Sequence, residues 1–211
     1  MPHFDIQRIL LLIPVALLAL TVHEYSHGLV ADRLGDNTAR LQGRLTLNPL
    51  AHLDIIGTIL IFLVGFGWAK PVPINARNLK DPQRDMMLIA LAGPASNLLM
   101  ALAAGVVLRS WHPDFSSNTA PLTLIMLQLL RLSIVINVAL AVFNMIPLPP
   151  LDGSRIVYGL LPQDKAIAYS KIEPYGVMIL FGLFFFGGQV FNTVLWYPIS
   201  LIIGIITGSR I

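Results

Sequence analysis

The residues His23-Glu24-Tyr25-Ser26-His27 have the form H-E-x-x-H. On a helix, residues four apart share a face, so the two imidazoles can hold one zinc ion. Glu24 stands beside them, placed to take a proton from a water that zinc has acidified to a pKa of about 7. The competing reading is a chance motif. It is weakened by the setting, because an ionisable residue inside an apolar helix costs about 2.5 kcal/mol or more. Glu24 is also one of only two glutamates, the other being Glu173.

A catalytic zinc takes three protein ligands and keeps a position for water. The chain has no cysteine, so the third ligand has to be an imidazole or a carboxylate. The candidates are Asp54, Asp152, His52 and Glu173. Asp152 stands out by its setting, Asn144-Met145-Ile146-Pro147-Leu148-Pro149-Pro150-Leu151-Asp152-Gly153. There an apolar helix breaks, and broken backbone at membrane depth is tolerated where it lines a wet cavity or is buried in protein. Asp-Gly is also a common turn pair, so the residues alone leave the choice open.

The elements that must carry these groups are membrane helices. Of 211 residues, 55% are hydrophobic and 12% charged, where a soluble domain carries about 25% charged residues. Ile6–Ala31 reads as a first spanning helix with Pro14 inside it. It holds His23, Glu24 and His27, which a discarded signal peptide would not need. Met86–Leu108 and Leu122–Ile146 read as two more spanning helices. Thr38–Leu47 alternates polar and apolar residues and predicts a short strand or hairpin. Pro71 and Pro73 favour an extended path near Lys70–Asn75. Arg155–Glu173 reads as an amphipathic connection. Tyr175–Phe186 and Val190–Ile206 are further apolar segments, separated by Gly187 and Gly188. The net charge of +3 is small and spread out. It suits loops facing an anionic leaflet and no nucleic-acid surface.

Topology constrains the short apolar segment Leu53–Phe66. For His27 and Asp152 to meet one ion, an even number of crossings must separate them. The helices at 86–108 and 122–146 supply two, so 53–66 is predicted to dip in and return. Its rise of about 21 Å at 1.5 Å per residue is shorter than the roughly 30 Å apolar core. Arg33, Arg40, Arg44, Lys70, Arg77, Lys80, Arg84, Arg155, Lys165 and Lys171 then share one side, with Arg109 near the opposite loop. Positive charge collects on the cytoplasmic side, so the N-terminus is expected outside and the metal toward the cytoplasm of a cell membrane.

H-E-x-x-H in the first helix, with N-x-x-P-x-x-x-L-D-G after a later one, resembles the paired signature of the site-2 proteases, intramembrane zinc metalloproteases. Ala92-Gly93-Pro94-Ala95-Ser96-Asn97 is similar to the small-residue motif of that family's middle core helix. Leu47–Asp54 and Gly67–Pro73 resemble its compact prokaryotic branch, which lacks PDZ and nucleotide-sensing modules. The resemblance implies one Zn2+ per chain held by His23, His27 and Asp152, with Glu24 as the general base. It implies that Asn144 holds the substrate backbone or the oxyanion. It also implies regulated intramembrane proteolysis, with membrane-protein substrates met in the lipid bilayer. His52 and Asp54 read either as gating or outer-sphere groups near the zinc or as a polar pair at headgroup level.

The expected fold is an all-α polytopic membrane protein. It has a three-helix catalytic core with a re-entrant segment and short β-hairpin, plus two C-terminal membrane segments. The chain reads as a single membrane protease domain over 1–211, with its core at about 6–160 and the C-terminal segments at about 174–207. Rival readings are a membrane metal or proton transporter, a prenyl-protein processing enzyme and a catalytically silent relative. No paired halves are visible, as a transporter's inverted repeats would leave. The surroundings of Glu173 do not resemble the processing enzymes' second motif, and all four central site residues are intact.

Overall fold

The computed structural model describes residues 6–54, 57, 69–111 and 120–208. Its helices are α1 (Ile6–Arg33), α2 (Thr38–Leu41), α3 (Pro82–Ser110), α4 (Pro121–Asn144), α5 (Asp152–Leu160), α6 (Gln163–Ser170), α7 (Gly176–Phe186) and α8 (Gly188–Thr207). Leu10–Arg33, Pro82–Ser110 and Pro121–Asn144 are long and apolar enough to cross a membrane. These are the three predicted spans with their bounds shifted by a few residues: the first two helices run longer, and the third ends at Asn144, two residues before the predicted Ile146. Most of the predicted re-entrant segment, 53–66, lies outside the described residues.

α3 is the central helix and packs against α1, α4, α5 and α8. Small residues permit this. Ala101 and Ala104 are buried in a core with Ile134 and Val138 of α4 and Ile199, Ile203 and Ile206 of α8. A Cβ on Gly105 would stand 2.1 Å from Ile206 Cγ2, so α8 needs glycine there to come this close. The opposite faces carry exposed Leu99, Leu102, Val106 and Leu122. Such a surface suits lipid, where apolar side chains need no further cover. The predicted break between the C-terminal segments is real: Gly187 stands between α7 and α8, and Gly188, which opens α8, has φ +50.

The hairpin expected at Thr38–Leu47 does not form. Among the described residues there is no strand, and the β-pairing present is an isolated antiparallel bridge between Leu53 and Ala69. Thr38–Leu41 is instead a turn of helix that closes with Gly43 in the left-handed region at φ +66. The reason lies just upstream. Gly35 reverses the chain after α1 at φ +112. Asp36 then accepts from the Thr38 N–H at 3.1 Å and from the Thr38 hydroxyl. A side-chain acceptor at a helix start outcompetes a two-residue alternation that has no partner strand.

Asp36 is 0% exposed, and its carboxylate also accepts from the Asn75 N–H at 2.7 Å and the Asn78 amide at 2.8 Å. It therefore ties the end of α1 to the extended residues before α3. Burial pushes its pKa up, but the hydrogen bonds from Thr38, Asn75 and Asn78 outweigh burial and hold it below 3.8. Because the folded-state value is the lower one, the stabilisation is complete above the unfolded value and is lost as pH falls through the folded one. Asp36→Ala should cost about 1–3 kcal/mol. Its melting temperature should also fall less than that of the wild type on acidification below 3.8. Thermal melts of both proteins across that range check this.

Candidate metal centre

His23 and His27 lie in the C-terminal half of α1, one turn apart, and both are buried. Asp152 is the first residue of α5, delivered by the turn that follows α4. Gly153 lets that turn close tightly, since a Cβ there would meet the Met145 carbonyl oxygen at 2.3 Å. His23 Nε2 and His27 Nε2 are 3.0 Å apart. Asp152 Oδ2 lies 3.1 Å from the first and 3.3 Å from the second.

These three atoms fit a cation. His27 Nδ1 faces the Ile89 carbonyl oxygen at 2.7 Å. A carbonyl only accepts, so Nδ1 carries the hydrogen and Nε2 presents a lone pair. Asp152 Oδ2 is buried and has no hydrogen-bond donor among the described residues. Bare acceptors brought this close repel one another unless a positive ion lies between them. Two imidazoles and one carboxylate are also the donor set of a catalytic zinc with an open position.

α3 supplies the floor. A Cβ on Gly93 would stand 2.5 Å from His27 Nε2 and 2.6 Å from His23 Nε2. Gly93→Ala should leave α3 helical, because alanine is the better helix former. It should displace both rings and weaken zinc binding at least about tenfold, as disturbed ligand orientation does elsewhere. Metal content and circular dichroism of the purified variant separate the two effects.

A cavity of about 500 Å³ opens on the three atoms, lined also by Glu24, Val72, Ile74 and Asn144. Glu24 Oε2 accepts the Val72 N–H at 2.9 Å, which holds the carboxylate on the cavity wall. Asn144, at the end of α4, donates to the Leu140 carbonyl at 3.0 Å. His52 and Asp54 do not line this cavity. His52 is buried against the Thr46 carbonyl at 2.8 Å, and its own carbonyl accepts the Lys70 N–H at 2.9 Å. Asp54 accepts the Gly57 N–H at 2.8 Å. Glu173 sits in a short turn and is absent from the metal cluster.

The sequence profile of peptidase family M50 matches residues 113–187. "Putative zinc metalloprotease YwhC" of Bacillus subtilis is 41% identical over 173 residues, covering 82% of this chain and 79% of the relative. The chain belongs to peptidase family M50. Two further relatives share the name "Putative zinc metalloprotease Rip2". The one from Mycolicibacterium smegmatis is 30% identical over 78% of this chain and 62% of its own length. The one from Mycobacterium tuberculosis H37Rv is 26% identical over 85% and 70%. No solved structure matches the chain. As an M50 peptidase, the chain is an intramembrane zinc metalloprotease of the site-2 protease kind, with several membrane-crossing helices.

Proposed function

We propose that this chain cuts membrane-spanning protein segments near the cytoplasmic face, after the substrate helix has locally unwound. The convergence of His23, His27 and Asp152 at the head of the cavity that also holds Glu24 carries this reading. His23, His27 and Asp152 hold the metal. Zinc, when bound, supplies Lewis acidity and brings the pKa of water to about 7. Glu24 takes the proton from the attacking water and later returns it to the leaving amine. The Val72 N–H holds Oε2 of Glu24 on the cavity wall while that happens. Asn144 presents its amide to the substrate carbonyl from the end of α4. The catalytic unit comprises about 6–160, with the C-terminal helices laid against it.

An unwound substrate leaves backbone groups unpaired in lipid, each costing several kcal/mol. The enzyme has to replace those partners. Thr38–Leu47 is unsuited, being helical in its first part. Val72 and Ile74 border the cavity, and no donor among the described residues takes the carbonyls of 72–74. A substrate laid alongside would pair with them as an added strand. Charge supports the cytoplasmic placement, since Arg33, Arg40, Arg44 and Lys70 share the side on which α1 ends.

The test uses the full chain in liposomes with a single-span reporter. A Gly-Pro pair near the cytoplasmic end of the reporter helix should speed cleavage by up to about 10²-fold, because a proline inside a helix already costs about 3 kcal/mol that local unwinding recovers, and about 1.4 kcal/mol is a factor of ten. Zinc chelation should stop it. Equal rates with and without the helix breaker would refute the unwinding step. Cleavage that survives zinc removal would refute the assigned roles.

A further inference from the structure

Asn137 lies inside the apolar helix α4, and Asn97 faces it from α3; both are 0% exposed. The Asn137 Nδ2 donates to the Ser133 carbonyl oxygen at 2.9 Å and lies 3.4 Å from the Ser133 hydroxyl. A carbonyl only accepts, so this bond fixes which end of the Asn137 amide points where. Its Oδ1 is left facing Asn97, and the Asn97 Nδ2 donates to it at 2.8 Å. The same Asn97 nitrogen donates to the Ala19 carbonyl at 3.1 Å. With both hydrogens of Asn97 committed to acceptors, its Oδ1 is the atom set 2.6 Å from His23 Nδ1. That oxygen can only accept.

We infer that Asn137 and Asn97 form an amide relay that fixes His23 as the Nδ1–H tautomer and so leaves the Nε2 lone pair for the metal. The inference rests on His23 being a zinc ligand. The opposite tautomer would press two lone pairs together at 2.6 Å across the Asn97 contact. It would also put an N–H on Nε2, 3.1 Å from Asp152 Oδ2, where it would occupy the carboxylate meant for the ion. His27 reaches its tautomer through one backbone carbonyl. His23 reaches its own through Asn97 of α3, which is held in turn by Asn137 of α4, a helix that carries no ligand. The packing of α4 on α3 therefore sets the electronic state of a ligand on α1. Asn97 and Asn137 are positioning residues: neither lines the cavity or touches substrate.

Zinc affinity of the purified full chain, measured by chelator competition, tests the relay. Asn97→Ala should weaken zinc by about 10- to 100-fold, the range found for outer-sphere partners of ligating histidines. Asn137→Leu keeps bulk and apolar packing but removes the amide. It should lower affinity by a smaller factor and shift the absorption bands of the cobalt-loaded protein. A purely structural role would lower the melting temperature and leave both the affinity of the folded protein and the cobalt spectrum unchanged, which overturns the inference. Should the variants fail to fold, ring 15N shifts of His23 in the zinc-loaded wild type decide, assigned against His23→Gln. A protonated Nδ1 is expected, and zinc on Nδ1 overturns the relay. His23→Ala separates the two failures: if it binds zinc normally, the ligand assignment itself falls, and if only Asn97→Ala does, the relay alone falls.

Discussion

Glu24→Gln is expected to reduce cleavage by about 10²- to 10⁴-fold, the contribution of a general acid–base group. The glutamine keeps a side-chain oxygen to accept the Val72 N–H, so the bond that fixes this side chain on the cavity wall survives. What is lost is the capacity to take a proton. The loss should therefore fall on kcat, with KM nearly unchanged, because the proposed pairing of substrate with the 72–74 backbone is not disturbed. Zinc content should remain that of the wild type, since Glu24 is not among the three clustered ligand atoms. Single-turnover cleavage of a membrane-spanning reporter, together with metal analysis, measures both. Wild-type rates in the variant would remove Glu24 from the proton transfer, and zinc loss would move it into the ligand set.

Asp152→Ala is expected to abolish zinc binding at ordinary concentrations and to reduce cleavage to background. The carboxylate is the only anion among the three clustered ligands, and it faces both imidazoles at 3.1 and 3.3 Å. Its removal should exceed the about 10- to 100-fold cost of losing an outer-sphere partner. The surrounding turn should hold, because Gly153 and Ser154, not Asp152, pack it: Gly153 lies under the Met145 and Ile146 carbonyls, and the Ser154 hydroxyl donates to the Leu151 carbonyl at 2.7 Å. Metal analysis of the folded variant checks the ligand role, with one zinc per chain expected for the wild type. A folded Asp152→Ala protein that retains zinc would point to a different third ligand.

The centre was legible because its chemistry is expressed in residue type and short spacing. H-E-x-x-H names its own helical face, and a lone aspartate after a broken apolar helix narrows the third ligand. The three spans were legible for a similar reason, since length and apolarity suffice in lipid. The loop after α1 was not. An alternation of polar and apolar residues at Thr38–Leu47 carries no record of Asp36 reaching forward to cap the turn. Nor does sequence show that Glu24 is held by a backbone N–H from residue 72, a contact between distant segments. Asn97 was visible within a small-residue motif but had no assigned task. Asn137 carries a signal of its own, since an amide inside an apolar helix demands a partner, but nothing near it in the chain names Asn97 as that partner. Nor does the sequence around Gly93 carry any sign of the two imidazoles that lie against it.

α1 and α5 each lean on α3, and the donor atoms they bring together belong to residues 27 and 152, distant in the chain. An ion held between them is thus a cross-link that closes most of the catalytic core into a loop, and the unfolded chain has no preformed site to bind it. Zinc availability should then act on the protein's lifetime as well as its turnover. At a free zinc concentration a hundred times the dissociation constant, the folded state gains about 2.7 kcal/mol. A cell that lets its zinc fall would loosen the core of this peptidase and expose it to quality control, so that the amount of enzyme, and not only its rate, would follow the metal.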